Sequence, residues 1–198
     1  MTALAVALRL LVAALAGAVH AHAVHAPVAT PIGRGARFDL PTGARADHGA
    51  AIGRLRCASA AGRWADAHLE VFARGRVVII PPGVGVARPR TQVGAAVPGG
   101  RCAYPVRTTD PTGVIRYRPG RHLRLGDVFA VWGQALGRRR LCGFRSRLGV
   151  RVYVDGRRFG GRPAALALRR HQEIVVEIGP FVPPHATYLF AGGKAATA

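Results

Sequence analysis

Acidic residues are scarce in this chain: 9 Asp and Glu stand against 29 Lys and Arg, and only one of those cations, Lys194, is a lysine. A glycosidase needs two carboxylates facing one cleft. The nearest candidates, Asp66 with Glu70 and Glu173 with Glu177, lie four residues apart on expected strands or loops, where that spacing guarantees no more than a shared face. Serine is rarer still. Ser59 and Ser146 are the only two, in Arg/Ala surroundings, and without a Gly-x-Ser-x-Gly run nucleophilic triad chemistry has no setting. The Cys-x-x-Cys, His-x-x-x-His and His-Glu-x-x-His patterns of zinc sites are missing as well. Gly83-Val84-Gly85 lacks the Lys-Ser/Thr of a phosphate-binding loop. These absences point away from an enzyme, and they imply no cofactor. After the first 23 residues no apolar stretch reaches membrane-spanning length.

What the chain does have is positive charge and apolar content. The balance is +20 over 198 residues, with an isoelectric point near 11.8. Such a field attracts polyanions, so an anionic polymer or an anionic membrane surface is the expected partner. An arginine, alanine, glycine, valine and proline bias is also what a GC-rich genome writes by default, and composition alone leaves both readings open. Hydrophobic residues make up 49% of the chain, enough to offset the ordering entropy of one domain.

The first 23 residues read as a signal peptide: one early cation, Arg9, then the apolar run Leu10 to Val19, then small residues at signal-peptidase spacing. Cleavage after Ala23 leaves Val24 as the new amino terminus; cleavage after Ala21 leaves His22. In the second case His22 and His25 offer nitrogen donors suited to copper, an alternative metal-binding function. His68 alternates with Leu69 and Val71 on an expected strand, while His122 and His171 sit beside arginines in turns, so all three read as packing or surface residues. Export permits a disulfide, and three cysteines allow three pairings. Cys57 and Cys102 lie beside expected strands in Arg/Gly-flanked sequence, whereas Cys142 reads as buried, so Cys57–Cys102 is the expected bridge. It closes a loop of about 46 residues, contributing on the order of 4 kcal/mol.

Residues 24–51 lack a sustained period and read as a Pro/Gly/Ala-rich linker. Strands are expected at 68–72 and 77–80 around the Arg74-Gly75 turn, at 114–117 after Asp110-Pro111-Thr112-Gly113, at 150–154 and 157–159 around Asp155-Gly156, and at 173–178. Leu125, Val128, Phe129, Val131, Trp132 and Ala135 recur at helical spacing, which predicts one helix over about 125–136. The fold class is therefore α+β, a predominantly antiparallel sheet with one packed helix, in a single domain over 52–180 followed by a tail at 181–198.

The stretch from His68 to Gly85, Cys102-Ala103-Tyr104-Pro105 leading to Asp110-Pro111-Thr112-Gly113-Val114-Ile115, the helix from Leu125 to Gln134, and Val152-Tyr153-Val154-Asp155-Gly156 together carry a resemblance. The chain resembles a group of uncharacterised exported proteins from GC-rich bacteria, over most of residues 55 to 180. Some members have His-Thr-His-Asp where this chain has Arg107-Thr108-Thr109-Asp110, and a further His where it has Arg116. A metal role suggested by those histidines does not transfer, and the resemblance implies no activity.

The remaining candidates are arginines. Arg116 and Arg118 flank Tyr117, and Arg138, Arg139, Arg140, Arg145 and Arg147 gather after the helix. Guanidinium groups at this density match phosphate, sulfate or carboxylate oxygens. No aromatic-interleaved nucleic-acid motif accompanies them, so sequence-specific nucleic-acid binding is not expected. The competing reading is a solvated basic loop.

Overall fold

The computed structural model describes residues 37–190. Its strands are β1 (Phe38–Asp39), β2 (Ala65–Ala73), β3 (Arg76–Ile79), β4 (Arg90–Val93), β5 (Ala96–Gly100), β6 (Val106–Arg107), β7 (Val114–Tyr117), β8 (Arg140–Leu141), β9 (Phe144–Arg145), β10 (Val150–Val154), β11 (Arg157–Arg158) and β12 (Glu173–Ile178). Helix α1 covers Ala44–Asp47 and α2 covers Leu125–Trp132. The fold is α+β and strand-dominated. The main sheet runs β1-β3-β2-β12-β10-β11, with β7 also on β2 and β6 on β7. Most pairs are antiparallel, but β2 with β12 and β1 with β3 are parallel.

Two turns follow directly from the backbone needs of tight hairpins, in which both central residues take positive φ. Arg74 and Gly75 (φ 52° and 73°) join β2 to β3, and Asp155 and Gly156 (φ 50° and 76°) join β10 to β11. The helix begins where Asp127 accepts the Arg124 N–H at 2.8 Å. It stops at Gly133, whose φ of 77° is the left-handed C-cap that glycine adopts without steric cost. The apolar spacing predicted a helix to about 136; the glycine ends it at Trp132.

Alternation sorts β2 and β12 into two faces. Ala65, Ala67, Leu69, Val71 and Ala73 join Ile174, Val176 and Ile178 in one buried cluster with Phe129 and Trp132 of α2. His68, Glu70, Phe72, Glu173, Val175 and Glu177 alternate with them and so face the other way. Residues 180–190 cross that second face without regular structure: Phe181 packs on Tyr153, Val182 N–H donates to Glu177 at 2.8 Å, and Tyr188 stacks on His68.

Cys57 and Cys102 form the disulfide. The expected linker needs correction at its carboxyl-terminal end. Phe38 pairs with Val78 in the sheet, Ala46 is buried, and Asp47 accepts hydrogen bonds from Arg88 and Arg90, so residues 38–51 belong to the domain. Of the expected tail, residues 181–190 dock on the sheet. The expected leader, the rest of the linker, His22, His25 and the last eight residues lie outside the described residues. No described helix is long and apolar enough to cross a membrane.

Candidate functional site

The seven arginines singled out in the sequence fall into two groups with different surroundings. Arg138, Arg139, Arg140, Arg145 and Arg147 are all exposed on and beside the β8–β9 hairpin, where Arg140 pairs with Arg145. The hairpin is fixed from below. Leu141 and Cys142 are buried, and the Phe144 ring lies 4.8 Å from that of Phe38. Backbone bonds from Ser146 N–H to Arg139 O (3.2 Å) and from Val150 N–H to Arg138 O (2.8 Å) extend the ladder to its base. Alternating apolar and basic residues thus anchor one side and present guanidinium groups on the other. Arg139, Arg145, Ser146 and Arg147 line an open depression of about 280 Å³. Among the described residues, none of these five arginines meets a carboxylate.

Arg116 and Arg118 lie elsewhere and are engaged with the fold. Arg116 pairs with Asp66 at 3.3 Å. Arg118 lies over the Trp64 ring at 4.1 Å and donates to the carbonyls of Ser59, Ala61 and Arg63. Arg107 lies 4.4 Å from the same ring. Although only 6% exposed, it meets no carboxylate, and its Nε has no hydrogen-bond partner. Burial, with Arg116 and Arg118 nearby, lowers its pKa from the usual arginine value. Cation–π attraction to Trp64, together with the carbonyl acceptors of Arg118 and the Pro98 carbonyl beside Arg107, offsets part of the loss of water around these two guanidinium groups.

A third constellation was not singled out in the sequence. The parallel register sets Glu173 of β12 opposite His68 of β2, and Glu70 follows two residues on along the same face. His68 Nδ1 lies 2.7 Å from Glu173 Oε2, and Nε2 lies 2.8 Å from the Thr112 carbonyl. A carbonyl only accepts, so Nε2 carries a hydrogen, and one more proton occupies the bond between Nδ1 and the carboxylate. Burial works against charge on His68, but the Glu173 hydrogen bond and charge, the Thr112 carbonyl and Glu70 outweigh it and raise its pKa. Burial also raises that of Glu173, against the pull of His68. Both shifts run toward holding a proton on the pair. The turn bearing Thr112 is held by Asp110, which accepts from Thr112 N–H at 3.1 Å and from its hydroxyl. Gly113 permits the close approach: its φ is 84°, and a Cβ there would stand 2.9 Å from His68 Nε2.

From residues 180–190, which form a strap over this face, Tyr188 stacks on the His68 ring at 3.7 Å, and His185 Nδ1 lies 2.9 Å from both Glu70 oxygens. With both nitrogens engaged and one ring face covered, His68 presents no free edge as a general base. Glu173 Oε1 is buried without a partner.

Cys142 is free and buried, and desolvation pushes its thiol up to about 12, so it is an inert core thiol despite the adjacent arginines. Comparison with family models, curated proteins and solved structures finds no match to this chain.

Proposed function

We propose that this chain is an exported, non-catalytic binding module that holds anionic polymers on the basic β8–β9 hairpin. The observation that carries the reading is the density of exposed guanidinium groups without a carboxylate partner on one short hairpin. Asp47, Asp66, Asp127 and Glu177 are paired with arginines, Glu70 and Glu173 with histidines, and Asp110 and Asp155 hold turns. The five hairpin arginines are left facing solvent, and three of them, Arg139, Arg145 and Arg147, line one depression. Guanidinium groups so placed take phosphate, sulfate or carboxylate oxygens through paired N–H donors. Their binding energy comes largely from released counterions and carries little sequence information. The leader-like amino terminus and the disulfide support a location outside the cytoplasm, where such polymers are wall, matrix or surface components.

The test is a salt titration of binding to inorganic polyphosphate, to heparin and to anionic vesicles. Arg139→Ala, Arg145→Ala and Arg147→Ala combined should weaken polymer binding and flatten the dependence of log affinity on log salt by about 2 to 3, roughly one for each guanidinium group removed. An unchanged slope in the triple variant, or no binding by the parent at low salt, would remove the hairpin as a polymer site. Binding confined to vesicles would move the proposal from polymers to membrane surfaces.

A further inference from the structure

We propose that His68, Glu70, Glu173 and His185 form a site for a first-row divalent metal ion beneath the strap at residues 180–190. The donor atoms of His68, Glu70 and Glu173 all lie within 4.8 Å of one another. His185 already rests on the Glu70 carboxylate at 2.9 Å. Two imidazoles and two carboxylates are the donor set that zinc, manganese and ferrous iron take, and the nitrogens disfavour calcium and magnesium.

Two further observations point to an ion here and not to a hydrogen-bond cluster alone. First, His68 Nε2–H is donated to the Thr112 carbonyl, which fixes the ring orientation and leaves Nδ1 as the atom aimed at Glu173. Metal-ligating histidines are held by an outer bond of this kind. Second, Glu173 Oε1 is buried beside these donors with no partner, although the residue is only 1% exposed. A buried carboxylate oxygen without a partner is costly, and a cation there would satisfy it. Binding replaces the proton between Nδ1 and Oε2 by the ion and releases that proton to solvent. Bonds of about 2.1 Å need donors roughly 3.4 Å apart. The 4.8 Å separation must therefore close and the 2.7 Å Nδ1–Oε2 distance must open, with His185 carried in from its place on Glu70 by the strap. Since His185 comes from the strap while the other ligands come from β2 and β12, the ion would tie residues 180–190 to the sheet.

The experiment uses the full chain, stripped with chelator and dialysed against Zn²⁺, with Co²⁺ as a coloured probe. Three variants are compared with the parent: His185→Ala, Glu173→Gln, and His20→Ala, His22→Ala and His25→Ala combined, which removes the amino-terminal histidines as competing ligands. The expected result is a single equivalent of zinc, and a visible cobalt spectrum, in the parent and in the amino-terminal variant. Both should be lost in His185→Ala, whose imidazole is 46% exposed on the strap, with circular dichroism showing the variant folded. Zinc should raise the melting temperature of the parent and leave that of His185→Ala unchanged. Retention of zinc by His185→Ala, its loss from the amino-terminal variant, or no binding by the parent would each overturn the site. Glu173→Gln serves as a second ligand test where circular dichroism shows it folded.

Discussion

The two faces of the β2–β12 pair are covered in opposite ways. On one, Leu69, Val71, Ile174, Val176 and Ile178 share a dry cluster with the α2 side chains, where each contact is weak and close packing makes the sum large. On the other, His68, Glu70, Glu173 and Glu177 share the face with Phe72 and Val175 under an extended strap that adds ring contacts from Phe181 and Tyr188 and meets the carboxylates through directed polar contacts. A helix covers a sheet by shape. A strap over carboxylates needs each charge matched, and Arg151, 2.5 Å from Glu177, and His68, against Glu173, supply the matches. The polar face therefore tolerates change only at its partly exposed rim, while the apolar face is sensitive throughout.

The largest expected effect belongs to the apolar face. Trp132 is wholly buried, and Trp132→Ala should lower unfolding free energy by about 3 to 5 kcal/mol, read from denaturant midpoints. A loss below about 1 kcal/mol would mean that the helix is not what covers this face. Next comes Arg151→Met, which leaves Glu177, at 0% side-chain exposure, without its cation. Stranding a buried charge costs about 3 kcal/mol. Adding Glu177→Gln should return much of that loss, because the amide still accepts the Val182 N–H without a charge to neutralise. If the double variant is as unstable as the single one, the strap face is held by packing and the contrast between the faces fails. A smaller change, about 1 to 2 kcal/mol, is expected for Tyr188→Ala, which uncovers one face of the His68 ring. Hydrogen exchange should then quicken over residues 180–190 before it changes in β12, a sharper sign of strap release than the midpoint itself.

Much of the apolar face was legible in sequence. The Ile174, Val176, Ile178 alternation gave strand β12, the three- and four-residue spacing gave α2, and Arg74-Gly75 and Asp155-Gly156 marked turns because tight hairpins demand positive φ there. The Cys57–Cys102 bridge was read from flanking composition and is present. The polar face was not legible. His68 and Glu173 are 105 residues apart and meet only because β2 and β12 pair in parallel, a register that no local pattern encodes. Glu173 and Glu177 did carry a signal: carboxylates alternating with valine in an apolar strand must be paired if both faces are covered. For β1 and α1 there was none, since two residues of strand and one turn of helix in Ala/Gly/Arg sequence have no period of their own and depend on Val78 and Arg90 for partners. The arginine groups were legible by position, but not in their division into the Trp64 stack and the free hairpin, which depends on where the carboxylates fold.

The smallest expected stability effect separates both faces from the hairpin. Arg139, Arg145 and Arg147 are exposed, and among the described residues no carboxylate pairs with them, so replacing all three by alanine removes no matched charge and opens no cavity. The midpoint should move by no more than about 0.5 kcal/mol for each substitution. The sign is informative. Mutual repulsion among guanidinium groups on one short hairpin destabilises the compact state, so their removal should be neutral or slightly stabilising in low salt, with the gain fading as salt screens the charges. Denaturant midpoints at low and high ionic strength measure this directly. A clear loss of stability in the triple variant would show that these side chains hold the hairpin in place. Their basic character would then belong to the fold, as that of Arg116 and Arg118 does, and not to a ligand.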